Sequence, residues 1–244
     1  MKSNRSLINS VAILTGLLLI FTQGFAQNRG NIKGDGNIKS QARAVKDFSR
    51  VDCSGTFHIF ITQGNNTSVK VEADQNLLSY IITEVSGDKL TIKTKKNVNI
   101  NPSRPVNVYL STKQIKALNL SGVCKVQTQN TLQADHLKVG ISGSSDMNLQ
   151  LKSTSFTSDI SGTGKLTLQG NTMSAAYNIS GTADVKATDF ISDNTEVQIS
   201  GMGKLHVNAS KKLKVSVSGM GKVWYKGKPE ISESISGMGK VTAE

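Results

Sequence analysis

Seven Ser-Gly pairs, at Ser121, Ser142, Ser161, Ser180, Ser200, Ser218 and Ser236, follow one another at intervals of 21, 19, 19, 20, 18 and 18 residues. The surrounding text repeats with them: ISGSSDMNL, ISGTGKLTL, ISGTADVKA, ISGMGKLHV, VSGMGKVWY and ISGMGKVTA. A period of about 19 residues is too short for helix-pair repeats. At ~3.3 Å per extended residue it traces roughly 60 Å, a path that three short strands and their corners can close. The pattern predicts an all-β solenoid: a single-stranded β-helix with one coil per repeat, stacked at ~4.8 Å.

Alternation within the repeat assigns the faces. With the Ser at offset 0, offset −1 reads Leu120, Ile141, Ile160, Ile179, Ile199, Val217 and Ile235, and offset +5 reads Val126, Met147, Leu166, Val185, Leu205, Val223 and Val241. Side chains in a strand alternate between faces, so these odd offsets belong to the interior. Offset +3 is always small (Cys124, Ser145, Gly164, Ala183, Gly203, Gly221, Gly239), as a narrow interior or a bend requires. The Gly at +1 has the same explanation, with a bulge as an alternative. Even offsets face solvent. There the serines form a ladder, and offset +4 reads Lys125, Asp146, Lys165, Asp184, Lys204, Lys222 and Lys240. In register, the first five alternate in sign and the last three are like charges.

The outward +2 row changes character along the chain, from Val123, Ser144, Thr163 and Thr182 to Met202, Met220 and Met238. Offset +6 adds His206 and Trp224, the only Trp. Together with Lys204, Lys222 and Lys240 these residues form the candidate interaction surface. The alternative is that a bend at Gly203, Gly221 and Gly239 turns the methionines into the core. The last coil is also an open sheet edge, so homo-oligomer contacts through the C-terminal coils are expected.

The chain is read as three parts. Residues 1–26 have the form of a secretory signal peptide: Lys2 and Arg5, the apolar run Val11–Phe21, and a cleavage site after Gly24-Phe25-Ala26. Eleven apolar residues are short for a membrane span. Residues 27–45 are a leading segment, an edge strand or a tail. Residues 46–244 are the β domain, irregular over 46–115 and regular coils over 116–244. In the irregular part, VDCSGTFHIFI carries a related unit at Ser54. Ser68–Ala73 is a strand, Asp74 caps a helical turn, Ile81–Thr94 is a hairpin turning at Ser86-Gly87-Asp88, Asn97–Pro105 is a loop, and Val106–Leu110 is a strand. This region is expected to cover the first coil.

Few chemical tools are present. Removing residues 1–26 lowers the formal charge from +12 to +10. The basic residues are mostly Lys, without interleaved aromatics for base stacking, and with export this argues against nucleic acid. They fit a solvated face or attraction to an acidic glycan or envelope component. His58, His136 and His206 stand far apart, so no metal or other cofactor site is expected. Asp146 and Asp184 share a row but are separated by Lys165, and no Ser has a base and acid at triad spacing. Catalytic residues are therefore not expected. Cys53 at −1 and Cys124 at +3 both point inward; they are either a disulfide or two buried thiols.

The N-terminal text IKGDGNIKSQARAVKDFSRVDCSGTFHIFITQG, followed by VSGDKLTIK and the ISGxGK coils, resembles the putative auto-transporter adhesin, head GIN domain family over roughly Phe48–Val223. The Ser-Gly-x-Gly rows at Ser161, Ser200, Ser218 and Ser236 are its most specific feature; Ser121, Ser142 and Ser180 lack the second Gly. The resemblance implies a right-handed, pectin lyase-like β-helix without catalytic residues and a role in cell adhesion. The expectation is an exported, non-enzymatic binding module of the periplasm or outer surface. The rivals are a carbohydrate-active enzyme of the same fold and a structural envelope protein.

Overall fold

Alternating apolar and polar residues at a fixed coil length find their partners in a stack of parallel strands. The computed structural model describes residues 30–244; the leader read at residues 1–26 lies outside the described residues, as does the beginning of the 27–45 segment. Strands β1 (Gly30–Lys33) and β2 (Ile38–Arg43) lead into β3 (Arg50–Ser54) and β4 (Thr56–Gln63). After β5 (Ser68–Asp74) and a 3₁₀ turn at Gln75–Tyr80, β6 (Ile81–Ser86) and β7 (Lys89–Thr94) form the expected hairpin. β8 (Val98–Asn101) and β9 (Asn107–Thr112) end the irregular region. The coils begin with β10 (Ala117–Leu120), β11 (Val123–Thr128) and β12 (Leu132–Ile141). They continue through the long, bent strands β13 (Ser144–Ile160), β14 (Thr163–Ile179), β15 (Thr182–Ile199) and β16 (Met202–Val217). β17 (Met220–Lys226), β18 (Glu230–Ile235) and β19 (Met238–Ala243) complete them.

The register keeps every offset in its own row. Ile141, Ile160, Ile179 and Ile199 are successive parallel partners, followed by Val217 and Ile235. The −1 row from Leu120 to Val217 is buried, as is the +5 row from Val126 to Val223. Each such side chain contributes roughly 1.5–3 kcal/mol by leaving water. An aromatic trio packs in the core of the middle coils, with the Phe156 ring centroid 5.9 Å from that of Tyr177 and 5.7 Å from that of Phe190. The rule breaks in the coil at Ser236, where Ile235 is exposed and Val241 half-buried. Coil-length differences are taken up in the segment after offset +7. The register shifts there between Thr167 and Gln169 and between Ala187 and Ile191, while the Ser-Gly corners stay aligned.

The corners show why the +1 residue is Gly. It is neither a bulge nor a response to the narrow interior. A Cβ on Gly162, Gly181 or Gly201 would lie 2.0, 2.0 or 2.1 Å from the carbonyl oxygen of the corner Gly one coil below. These carbonyls accept the next coil's amides: Thr182 N donates to Gly162 O at 2.9 Å and Met202 N to Gly181 O at 2.9 Å. The backbone ladder runs unbroken around the corner only because nothing projects from it.

The irregular region continues the stack. β3 pairs in parallel with β10 and with β7, and β4 with β11 and β9. β5 then closes antiparallel on β9 and β2. The Asn97–Pro105 segment read as a loop contains β8, which pairs with β1. The leading segment is thus strand, not tail. Asp74 also differs from its reading as a helix cap. The 3₁₀ turn starts directly after it, but its carboxylate makes no cap bond. It accepts instead from Gly36 N at 2.8 Å, Ser103 N at 2.9 Å and Ser103 Oγ at 2.6 Å. A fully buried carboxylate so joins three chain segments of the cap.

Burial pushes the Asp74 carboxyl up, but the hydrogen bonds from Ser103 and Gly36 outweigh it and hold the group below its ordinary value. A depressed folded-state value stabilises fully above the unfolded value of ~3.9 and is lost as pH falls through the folded value. Asp74→Ala is therefore expected to cost about 2–3 kcal/mol at pH 7. Urea titrations should show the difference from wild type shrinking as pH drops below ~4. A difference unchanged at pH 3 would show that the carboxylate charge is not what joins the cap.

Candidate functional site

The small +3 row shapes the outer surface as well as the core. With no side chain at Gly164, Gly203 or Gly221, the strand caves inward until a Cβ there would sit 2.7–3.1 Å from Ile160 or Ile199 Cδ1. On the outside, the +2 and +4 rows then stand as two walls over a sunken floor. The result is a groove of about 850 Å³ along the stacked coils, running from Thr56 and His58 to Lys222 and Met238. The rows are continuous: Lys125, Asp146, Lys165, Asp184, Lys204, Lys222 and Lys240 are successive partners on one wall.

The other wall turns apolar at one end. Met202, Met220 and Met238 stack in register and expose 48%, 47% and 74% of their surface. The bend at the +3 glycines does not draw them into the core, because it moves the backbone inward without rotating the outward row. Facing them are Lys204, Lys222 and Lys240. Among the described residues, none of these three lysines lies within 4.0 Å of a carboxylate. Elsewhere lysines do find acids across coils, as in Lys138–Asp159 at 2.8 Å, Lys211–Asp193 at 3.0 Å and Lys214–Glu196 at 2.9 Å. Among the described residues, the acids of the groove, Asp146 and Asp184, close no ion pair of that kind either, although lysines neighbour both in register. Three like charges ~4.8 Å apart repel one another unless an anion lies along them.

His206 and Trp224 are not part of this groove. They occupy the +6 row, ~13 Å along the strand from the methionines. Their rings stack on each other with centroids 4.6 Å apart, and His206 Nδ1 is hydrogen-bonded to the Glu244 carboxylate. The structure thus groups the methionines with the lysines and leaves the aromatic pair engaged elsewhere. Reading from sequence also missed the groove's far half, where Val123 is 58% exposed beside Thr56 and His58. The signal was present in the unbroken run of small residues at +3. Size alone does not say whether such a row narrows the core or dents the surface.

A family model described as putative auto-transporter adhesin, head GIN domain, matches residues 47–229. Similar folds are found among solved structures. A putative adhesin from Bacteroides fragilis superposes with a TM-score of 0.83 at 22% identity, covering 87% of this chain and 100% of that one. A putative adhesin from Parabacteroides distasonis gives 0.71 at 27% identity, covering 88% and 100%. A putative lipid binding protein from the same species gives 0.72 at 23% identity, covering 88% and 99%. No curated protein matches the chain.

Proposed function

Since the chain belongs to the putative auto-transporter adhesin, head GIN domain family, we propose that it is an exported, non-enzymatic adhesion module of the cell envelope that holds an acidic glycan along its groove. The observation that carries this reading is the run of Lys204, Lys222 and Lys240, stacked in register and, among the described residues, in no ion pair, beside an open groove. Their ~4.8 Å spacing approaches the rise of one sugar in an extended polysaccharide, so successive anionic groups can meet successive lysines. The placement of the groove's two acids supports the non-enzymatic reading. Glycoside hydrolysis needs two carboxylates on either side of one bond. Asp146 and Asp184 lie on the same wall with Lys165 between them.

Self-association through the terminal coil is less favoured than a partner in the groove. In the inward row of Val197 and Val215, the last coil places Glu233. A charge in an otherwise apolar inward row opposes pairing of this coil with a second copy.

A second reading has one observation in its favour: the exposed methionine wall suits an acyl chain, with the lysines meeting an anionic headgroup. One of the similar structures is named as a lipid binding protein. Calorimetry with polygalacturonate and flotation with phosphatidylglycerol vesicles separate the two. Lys204→Glu, Lys222→Glu and Lys240→Glu combined should weaken polygalacturonate binding at least about tenfold, at roughly 0.5 kcal/mol or more per contact. The combined Met202→Ser, Met220→Ser and Met238→Ser variant should leave it unchanged. Loss of vesicle binding in the methionine variant, without glycan binding in the wild type, selects the lipid reading. Shortening of the polymer by the wild type sinks the non-enzymatic reading.

A further inference from the structure

Cys53 and Cys124 are 71 residues apart in sequence, yet their Sγ atoms lie 3.1 Å from each other, and both side chains are buried. The coil geometry explains the meeting. In later coils, the −1 side chain reaches the +3 position of the following coil. A Cβ on Gly221 would lie 2.7 Å from Ile199 Cδ1, and one on Gly239 3.0 Å from Val217 Cγ1. There a branched aliphatic fills the slot and the +3 residue contributes nothing. At the first junction Cys53 takes the −1 place, against Leu120 in register, and Cys124 takes the +3 place, against Phe57. The repeat therefore delivers two sulfurs to one slot.

We propose that Cys53 and Cys124 form a disulfide that locks the cap region to the first regular coil. A disulfide needs the sulfurs at ~2.05 Å, a closure of about 1 Å from their present separation. The oxidant is a small-molecule disulfide of the oxidised glutathione type. One cysteine thiolate attacks a sulfur of oxidised glutathione, giving a mixed disulfide and one glutathione thiolate. The other cysteine thiolate then attacks the protein sulfur and expels the second glutathione. Two protein thiols lose two electrons and two protons, and oxidised glutathione gains them as two glutathione thiols. The hydrogen bond between the cysteines holds Cys124 below the ordinary thiol range. The same bond, with burial, pushes Cys53 up. Because both thiols are buried in the folded coil, exchange takes place before the cap closes over them.

The test uses the full chain refolded in a glutathione redox buffer, so it does not depend on export or on the groove's ligand. Intact mass is expected to be about 2 Da below that of the dithiol, with no alkylation of the denatured protein until reductant is added. Reductant should then lower the wild-type melting temperature by on the order of 10 °C and leave a Cys53→Ala, Cys124→Ala double variant unmoved. Two alkylatable thiols in the refolded wild type would overturn the proposal. An oxidised wild type whose melting ignores reductant would overturn the locking role.

Discussion

Ile179→Asp is expected to abolish cooperative folding of the solenoid. Ile179 is buried between Ile160 and Ile199 in the −1 row, with aliphatic neighbours above and below. The substitution forfeits roughly 2–3 kcal/mol of apolar burial. It also leaves a carboxylate without a partner, at a further cost of several kcal/mol. The sum, on the order of 5 kcal/mol or more, rivals the whole stability of an ordinary domain. Because each coil touches only its neighbours, the loss interrupts the stack at its middle and exposes two new ends. Circular dichroism and limited proteolysis should show loss of the protected core. Ile179→Val, which keeps the row apolar, should cost only about 1 kcal/mol. A soluble, protease-resistant Ile179→Asp protein with wild-type melting would show that the −1 row is not the spine of the fold.

Gly181→Ala is the second large effect, and it acts through the backbone. The new methyl would sit 2.0 Å from Gly162 O and 2.4 Å from Ser161 O, both main-chain atoms that cannot rotate away. The two coils must part locally. That strains or breaks the bonds from Thr182 N to Gly162 O and from Gly181 N to Ile160 O, now 2.9 and 3.1 Å. Two weakened buried backbone bonds and lost packing amount to about 3 kcal/mol or more. Gly30→Ala serves as the control, since nothing lies within 4 Å of a Cβ there. The comparison is a pair of urea midpoints. If Gly181→Ala unfolds with Gly30→Ala and wild type, the corners are softer than their geometry implies.

These two residues stand for two degrees of legibility. The inward rows could be read because period-2 alternation and a fixed coil length together determine which side chains meet, and the register of the −1 and +5 rows follows. The corner glycines were visible as a repeat, but their cause was not. The missing Cβ makes room for a carbonyl of another coil, and sequence spacing along one coil carries no information about the gap between two. The irregular cap was read in part. The hairpin at Ser86-Gly87-Asp88 announces itself by turn chemistry, and Gly87 indeed has φ of 61°. The role of Asp74 does not announce itself. Its partners, Gly36 and Ser103, come from distant segments, and an Asp before a helical turn reads locally as a cap.

The sequence by itself determined a β solenoid, its inward and outward rows, and the inventory of side chains on each face, because local alternation and repeat length dictate them. Tertiary structure alone decided three things. It made the small +3 row a dent in the surface, which raises Met202, Met220 and Met238 and the facing lysines into two walls. It stacked the His206 ring on Trp224 and tied His206 to the Glu244 carboxylate, which engages this pair away from the groove. It brought Cys53 within 3.1 Å of Cys124. Each depends on the direction in which a strand bends or on how one coil lies over the next. Those are properties of packed pairs of coils, which no single repeat contains.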